Sequence, residues 1–271
     1  MAEDAPVDRV EPAFAGETAW YYARYRRDYP TQLVERLRPF AHEGEGRLLD
    51  LGCGTGQLLL QLAPYFKHSI GIDPEPDMLY EAAHLAHERG IDNAEWIEAS
   101  TTDLPNLATE LGVVDLVTIA TAFHFMEPQT TLRTLTRLVR GGGAVAVAYN
   151  GSPMWLHPDA WAKALRRALE TQLGSVSELD VAVEGLRACE LAMQKLGYTD
   201  IEHWQHTYES VIDIDFIVGH IYTALSPGRI PTRERPSFEE RIKHEITAVA
   251  HSDHVSETVA VRVLIGRPPD H

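Results

Sequence analysis

Cysteine is nearly absent from the 271 residues. Cys53 and Cys189 are the two in the chain, too few for a disulfide framework, and their pattern points to a reduced, intracellular protein. Basic residues are scarce beside acidic ones: Lys and Arg total 24 against 40 Asp and Glu, a formal net charge of −16. That balance argues against broad contact with nucleic acid or an anionic membrane, since both need a basic face; solubility is the plain reading of the acidity. No apolar run reaches membrane-spanning length, and even the stretch 113–126 carries Asp115 and His124. The opening Met1-Ala2-Glu3-Asp4-Ala5-Pro6 has neither the basic start nor the apolar core of a signal peptide, so the cytoplasm is the expected compartment. The thirteen histidines form no spaced ligand motif such as His-Glu-x-x-His, and no metal is expected. Internal repeats and low-complexity linkers are missing too, which suits one domain over residues 1–271.

What is present is a run around which the rest is organised, Leu48-Leu49-Asp50-Leu51-Gly52-Cys53-Gly54-Thr55-Gly56-Gln57. Its apolar first half reads as a buried parallel strand. Its second half has glycine at every other position, where the chain can turn through positive φ and a ligand can touch the backbone. Leu58-Leu59-Leu60 then opens a helix running to about Phe66. Further strands are expected at 69–73, 94–98, 113–120 and 144–149. Helices are expected from Pro74 to about Arg89 and over 130–139, with a polar turn at 99–105 and a break at 140–143. This alternation predicts an open, mainly parallel sheet covered on both faces. Ligands would bind at the C-terminal strand ends, where Gly52, Asp73, Ser100, Thr121 and Asn150 converge.

Outside that core (41–150), residues 1–16 read as a loose acidic arm, compatible with a swapped homo-oligomer, and 17–40 as N-terminal cap helices. The segment from Ala19 to Pro30 mixes aromatics with arginines. It reads either as a solvated helix with aromatics on the core or as a cover for the site. Helices from Asp159 to Leu173 and from about Glu178 to Leu196 (within 151–197) read as an inserted lid, with Trp155, Trp161 and Tyr222 as core aromatics or an apolar pocket wall. The remainder, 198–271, holds extended 201–212 with Trp204, His206 and Tyr208 on one face, and a helix capped by Asp213. A loop at 227–236 follows, then a helix started by a Ser237/Glu240 capping box with Phe238, Ile242, Ile246 and Val249 on one stripe. A closing strand spans 258–265.

The loop is not a dinucleotide fingerprint, because Gln57 stands where the third glycine belongs, and it lacks the Lys-Ser/Thr of a phosphate loop. It suits ribose, adenine and an amino-acid tail without phosphates. Leu49–Gly56 resembles the first motif of class I S-adenosylmethionine (SAM)-dependent methyltransferases. Asp73, Asp103-Leu104-Pro105, Ala122-Phe123-His124-Phe125 and Leu138-Val139-Arg140-Gly141-Gly142 resemble the later motifs in order. Tyr21-Tyr22-Ala23-Arg24-Tyr25-Arg26 resembles the small-molecule branch, many of whose members act in bacterial secondary metabolism, antibiotic biosynthesis included. The resemblance covers 17–150 strongly. It implies a Rossmann-like class I fold, a seven-stranded mainly parallel sheet with an inserted helical lid, and SAM as cofactor with S-adenosyl-L-homocysteine (SAH) as product. It implies that Gly52, Gly54 and Gly56, with Asp50 and Gln57, serve the methionine and ribose, and that Asp73 binds the ribose hydroxyls. Pro74 and Met78 would pack on adenine, with Ser100, Thr101 and Thr121 nearby. Tyr21 and Arg26 would close over the cofactor, Arg26 on its carboxylate. Ser100 departs from the family's acid, and Arg27 from its proline. Tyr25, Phe123, Phe125, Asn150 and Trp155 are the expected acceptor contacts.

Methyl transfer from a sulfonium is an in-line displacement that orientation and water exclusion can accelerate without a metal. His124 is the best-placed general base, or else a structural histidine that orients its loop; His157, His203 and His206 are weaker candidates. The expected acceptor is an oxygen or nitrogen of a small molecule. A SAM-binding cyclase or regulator, or a nucleobase methyltransferase, are the alternatives. The last lacks its Asn/Asp-Pro-Pro-aromatic signature at Ala120-Thr121-Ala122-Phe123.

Overall fold

The computed structural model describes residues 14–225 and 228–269; most of the expected N-terminal arm, residues 1–13, lies outside them. The first four strands follow the apolar runs: β1 (Arg47–Leu51), β2 (His68–Asp73), β3 (Ala94–Glu98) and β4 (Val114–Ala120). The later strands are β5 (Val139–Asn150), β6 (Thr199–Asp213) and β7 (His254–Arg267). Among the described residues they form one sheet in the order β3-β2-β1-β4-β5-β7-β6. Pairing is parallel from β3 through β5, while β7 runs antiparallel to both β5 and β6. The expected seven-stranded, mainly parallel sheet is therefore present. Its order reverses between β1 and β4, and an open parallel sheet offers a crevice beyond the strand ends at that point.

Successive side chains of a strand face opposite ways, and Leu48 and Leu49 show it. Leu48 joins Leu33, Leu37, Leu59, Leu62 and Ala146 on one face; Leu49 joins Val117, Val145, Leu135 and Leu264 on the other. The first layer holds α2 (Thr31–Leu37) and the short α3 (Leu59–Leu62). The second holds α5 (Leu104–Leu111) and α6 (Pro128–Leu138). α1 (Glu17–Tyr25) and α4 (Pro76–Glu88) pack together at the β2–β3 end. Among the described residues no helix is long and apolar enough to cross a membrane.

Four local expectations change. α5 replaces part of the polar turn: Pro105 sits in its first turn, where a missing N–H costs nothing, and Leu104 and Leu111 are buried. The glycines at 141–143, expected to break the chain, belong to β5, with a register shift opposite Val114/Leu116. The last helix, α10, begins at Arg235 rather than Ser237 (Arg235–Ala250); the Ser237 hydroxyl donates to Glu234 O at 2.9 Å, so no capping box forms there. Val249 lies off the buried stripe of Phe238, Ile242 and Ile246, exposed at the helix end.

The segment 151–197 divides. Its first helix, α7 (Ala160–Leu173), packs through Trp161, Leu165 and Leu169 on α9 (Ile214–Ala224) and α10. Its second, α8 (Val181–Lys195), packs Ala182, Leu186, Cys189 and Met193 onto the sheet instead, as the crossover from β5 to β6. The helical cap is thus α7 with α9 and α10. Two of its three helices come from the insertion between β6 and β7, outside the stretch expected to supply it.

Candidate active site

The glycine loop leaves the end of β1 with three left-handed glycines: φ is +64° at Gly52, +52° at Gly54 and +84° at Gly56. A Cβ on Gly52 would stand 2.5 Å from Ala122 Cβ, while one on Gly56 would press Leu60 at 3.1 Å and Trp96 at 3.3 Å. Gly54 meets nothing closer than Tyr22 Cε1 at 4.0 Å, so its backbone lies open to the crevice. The loop is pinned from β2. Gly52 N–H and Cys53 N–H donate to Ile72 O at 2.8 and 3.1 Å. Asp73 Oδ2 accepts from Gly54 N–H at 2.9 Å and Oδ1 from Glu75 N–H at 3.0 Å. Burial raises the Asp73 carboxyl against those two bonds. Asp50 lies beneath the loop, fully buried, and accepts from Thr118 Oγ1 at 2.7 Å; burial lifts its pKa to about 7. Gln57 Nε2 donates to Thr55 Oγ1 at 2.5 Å and to Tyr22 O at 3.3 Å, tying the loop to α1.

Two cavities meet over this loop. The first is lined by Gly52, Gly54, Gln57, Met78, Tyr22 and Tyr29, among others. The second adds His124, Tyr149, Trp155, Leu179, Val181 and Thr223. Arg26, Arg27, Thr121, Phe125, Asn150 and His220 line both, so the two are one continuous cleft. Thr121 marks the junction with φ +56°, its N–H donating to Ala148 O at 2.7 Å and its hydroxyl 3.1 Å from the Tyr29 hydroxyl. Asn150 Nδ2 donates to Asp28 O at 3.0 Å, holding the end of β5 against the chain that follows α1.

Of the expected cofactor residues, Arg26, Gly52, Gly54, Gln57, Met78 and Thr121 line the first cavity. Tyr21 does not. One residue is about 100° of helix turn, so Tyr22 faces the cleft while Tyr21 stacks on Tyr222 at 4.8 Å in the cap. Tyr222 therefore walls no part of the cleft, and Trp161 is a cap core residue bonded to Ser256 O. Asp50 lies behind the loop and Gly56 turns it, while Asp73, 8% exposed, sits beside the cavity through its bond to Gly54 N–H. Pro74 is exposed outside. Ser100 turns its hydroxyl to Asp103 Oδ2 at 2.6 Å, and Thr101 beside it does not line the cleft. Of the acceptor residues, Phe125, Asn150 and Trp155 line the second cavity with His124. Tyr25 fills the space that a glycine leaves at Gly219, against Phe216, and Phe123 is buried in the core. His157, His203 and His206 lie outside the cleft, on Asp159, Glu190 and the Trp204–Tyr208 stack respectively.

Residues that sequence reading did not single out include Tyr22, Tyr29, Tyr149, His220 and Thr223. His220 had a signal: it is the one basic side chain in the otherwise apolar run Phe216–Tyr222. Arg27, noted only as a departure from the family pattern, forms a buried ion pair with Glu257 of β7. His124 keeps an exposed edge at the cavity. Even so, desolvation against its neighbours, and then the Arg26 charge, lower its pKa to about 4. Among the described residues, no group of three or more His, Cys, Asp or Glu is placed to hold a metal ion.

A methyltransferase-domain family model matches residues 48–143, from β1 to the glycines of β5. The uncharacterized methyltransferase Rv3342 of Mycobacterium tuberculosis is 30% identical over 228 residues, covering 80% of this chain and 81% of that protein. This chain belongs to the class I SAM-dependent methyltransferases. The Saccharomyces cerevisiae protein named as a probable S-adenosylmethionine-dependent methyltransferase, CRG1, is 35% identical over 128 residues. That match takes in 46% of this chain and 43% of the yeast protein, so this methyltransferase spans less than half the length of that relative. Two solved structures share the fold. A provisionally assigned type II methyltransferase of Anaeromyxobacter dehalogenans has TM-score 0.62 at 20% identity, over 91% of this chain and 100% of that one. The YcgJ protein of Bacillus subtilis has TM-score 0.53 at 16% identity, over 89% and 100%.

Proposed function

We propose that this methyltransferase moves a methyl group to an oxygen or nitrogen of a small-molecule acceptor, of the secondary-metabolite kind its sequence resembles enzymes for. The observation that carries this reading is the continuity of the two cavities: one over the glycine loop, the other walled by the cap and by α8. The loop fits the cofactor. Gly54 presents open backbone, and each Asp73 oxygen has a further lone pair beyond the N–H bond it accepts. Gly52, Gly54 and Gln57 would hold the methionine and ribose, Asp73 the ribose hydroxyls, and Met78 the adenine. When bound, SAM supplies a methyl group on a sulfonium. The chain's own contribution is orientation and exclusion of water: Thr121 and Asn150 fix the junction, and Tyr22 and Phe125 close it from two sides. His124, neutral above about pH 4, serves as a hydrogen-bonding wall residue better than as a proton acceptor, because a base that weak takes little of a proton.

The test is calorimetry with SAH and NAD side by side, followed by label transfer from methyl-labelled SAM. SAH is expected to bind and NAD not to. Tight NAD binding would overturn the cofactor assignment, and SAH binding without transfer to any acceptor would favour a non-methylating SAM-binding protein.

A further inference from the structure

We propose that the acceptor is a carboxylate borne on an apolar body and that the product is its methyl ester. This rests on the methyltransferase reading above and names the substrate class of the same site.

The first observation is the charge of the walls. Among the described residues lining either cavity there is no Asp, Glu or Lys; the charged side chains are Arg26 and Arg27. Arg27 is committed to Glu257. Arg26 has no acidic partner among the described residues. Its Nε donates to Thr223 Oγ1 at 2.8 Å and its Nη2 to Thr223 O at 3.5 Å, which leaves Nη1 without a protein partner among the described residues, and its guanidinium lies 4.5 Å from the centre of the Tyr22 ring. Thr223, like His124, lines the second cavity and not the first. Arg26 lines both cavities, and its bonds to Thr223 hold the guanidinium within reach of the acceptor side of the junction. A guanidinium with donors to spare in a partly desolvated wall selects an anion with paired oxygens.

The second observation is the hydrogen-bond direction at His124. Tyr149 is 1% exposed, and its hydroxyl lies 3.3 Å from His124 Nδ1. Among the described residues, His124 Nδ1 is the hydrogen-bond acceptor within reach of that phenol. A buried phenol donates its proton to the acceptor it has. Nδ1 is then the acceptor, the proton sits on Nε2, and His124 offers the cavity a donor instead of a base. The other imidazole, His220, donates its Nδ1–H to Tyr25 O at 2.9 Å. Burial, then the charges of Arg26 and Arg27, hold it well below its ordinary pKa, too weak a base to deprotonate an alcohol or an ammonium.

A site with a free cation, a neutral donor and no competent base suits an oxygen nucleophile that arrives already ionised. A carboxylate needs no deprotonation. One lone pair on its oxygen forms the O–CH3 bond while the S–CH3 bond breaks with its electrons passing to sulfur. The products are a methyl ester and SAH, and no proton is released. Phe125, Trp155, Leu179, Val181 and Leu225 give the cavity an apolar stretch beside the polar Asn150, Ser152 and Ser177, and that stretch takes the body of the acid.

The experiment uses the full-length protein. SAH binding is measured first, and its failure would bring down the methyltransferase reading itself. Methyl-labelled SAM is then offered with benzoate, phenylacetate and octanoate, and separately with phenol, benzyl alcohol and benzylamine. Binding of each acid and of its neutral amide to the SAH complex is measured in parallel. We expect label in a form that mild alkali releases as methanol, a rate flat between pH 6 and 9, and acids bound about tenfold tighter than amides. That preference should be lost in Arg26→Gln. In His124→Gln, which keeps a donor but no base, the rate should stay flat across the same pH range, whatever its level. Equal affinity for acids and amides, alkali-stable label on phenol, alcohol or amine, or a rate that climbs tenfold per pH unit would each overturn the proposal.

Discussion

The two halves of the cleft are built from different materials. Over the glycine loop the floor is the open backbone of Gly52 and Gly54, and polar side chains hold that floor in place: Asp73 on Gly54 and Glu75, Gln57 on Thr55 and Tyr22, Asp50 on Thr118. Beyond Thr121 the wall is side chain, delivered from α1, β5, α8 and α9, which are far apart in sequence. A backbone floor serves one ligand and tolerates few substitutions. A side-chain wall can be altered residue by residue without touching the loop, and in such a wall the acceptor is specified.

The largest expected effect falls on the side-chain half. Arg27 and Glu257 are 12% and 5% exposed at their side chains, and burial alone raises the Glu257 carboxyl while Arg27 opposes it. Glu257→Ala leaves a buried guanidinium unpaired and should cost about 3 kcal/mol of stability by denaturant unfolding. Arg27→Met with Glu257→Leu should recover most of that loss; no recovery would mean the pair is not what holds β7 to the chain after α1. In the backbone half, Gly52→Ala combines positive φ with a 2.5 Å approach to Ala122 Cβ and should weaken SAH binding by about 100-fold. Calorimetry checks it, and near-normal affinity would show that the loop yields more than its packing implies.

A third effect separates the loop's support from its surface. The Asp50 carboxyl is raised from an ordinary 3.8 to about 7, so the unfolded chain ionises while the folded one stays protonated. Stability should fall as pH rises from about 4 to about 7, and it is fully present only below the unfolded value. Asp50→Asn removes that slope, a difference on the order of 3 kcal/mol across the window; parallel unfolding curves at pH 4, 5.5 and 7 measure it. The smallest effect contrasts neighbours on α1. Tyr22→Ala should weaken SAH binding by about fivefold, while Tyr21→Phe, in the cap, leaves it unchanged. Equal effects would place both rings at the cleft.

Sequence legibility follows the same division. β1, the glycine turn and the parallel strands could be read because a buried strand and a positive-φ glycine leave local signatures, and the sheet stands as expected. The side-chain wall left almost none. Whether Tyr21 or Tyr22 meets the cleft depends on the rotation of α1, which is set by Tyr25 settling over Gly219, some two hundred residues away. Phe123 and Phe125 are equally aromatic in sequence, yet the short turn between them sends one into the core and the other to the cavity. Two helices between strands look alike in a sequence, but α8 is the crossover from β5 to β6 while α7 joins the cap. Topology, not periodicity, separates them.

The most direct test is a crystal structure of the full chain with SAH. It should show the adenosyl group in the first cavity over Gly52–Gly54, with a ribose hydroxyl on Asp73. The sulfur should lie at the Thr121–Asn150 junction, facing His124 across the second cavity. Adenine lodged among Trp155, Leu179 and Val181, or a sulfur turned away from the second cavity, would contradict the division of the cleft described here.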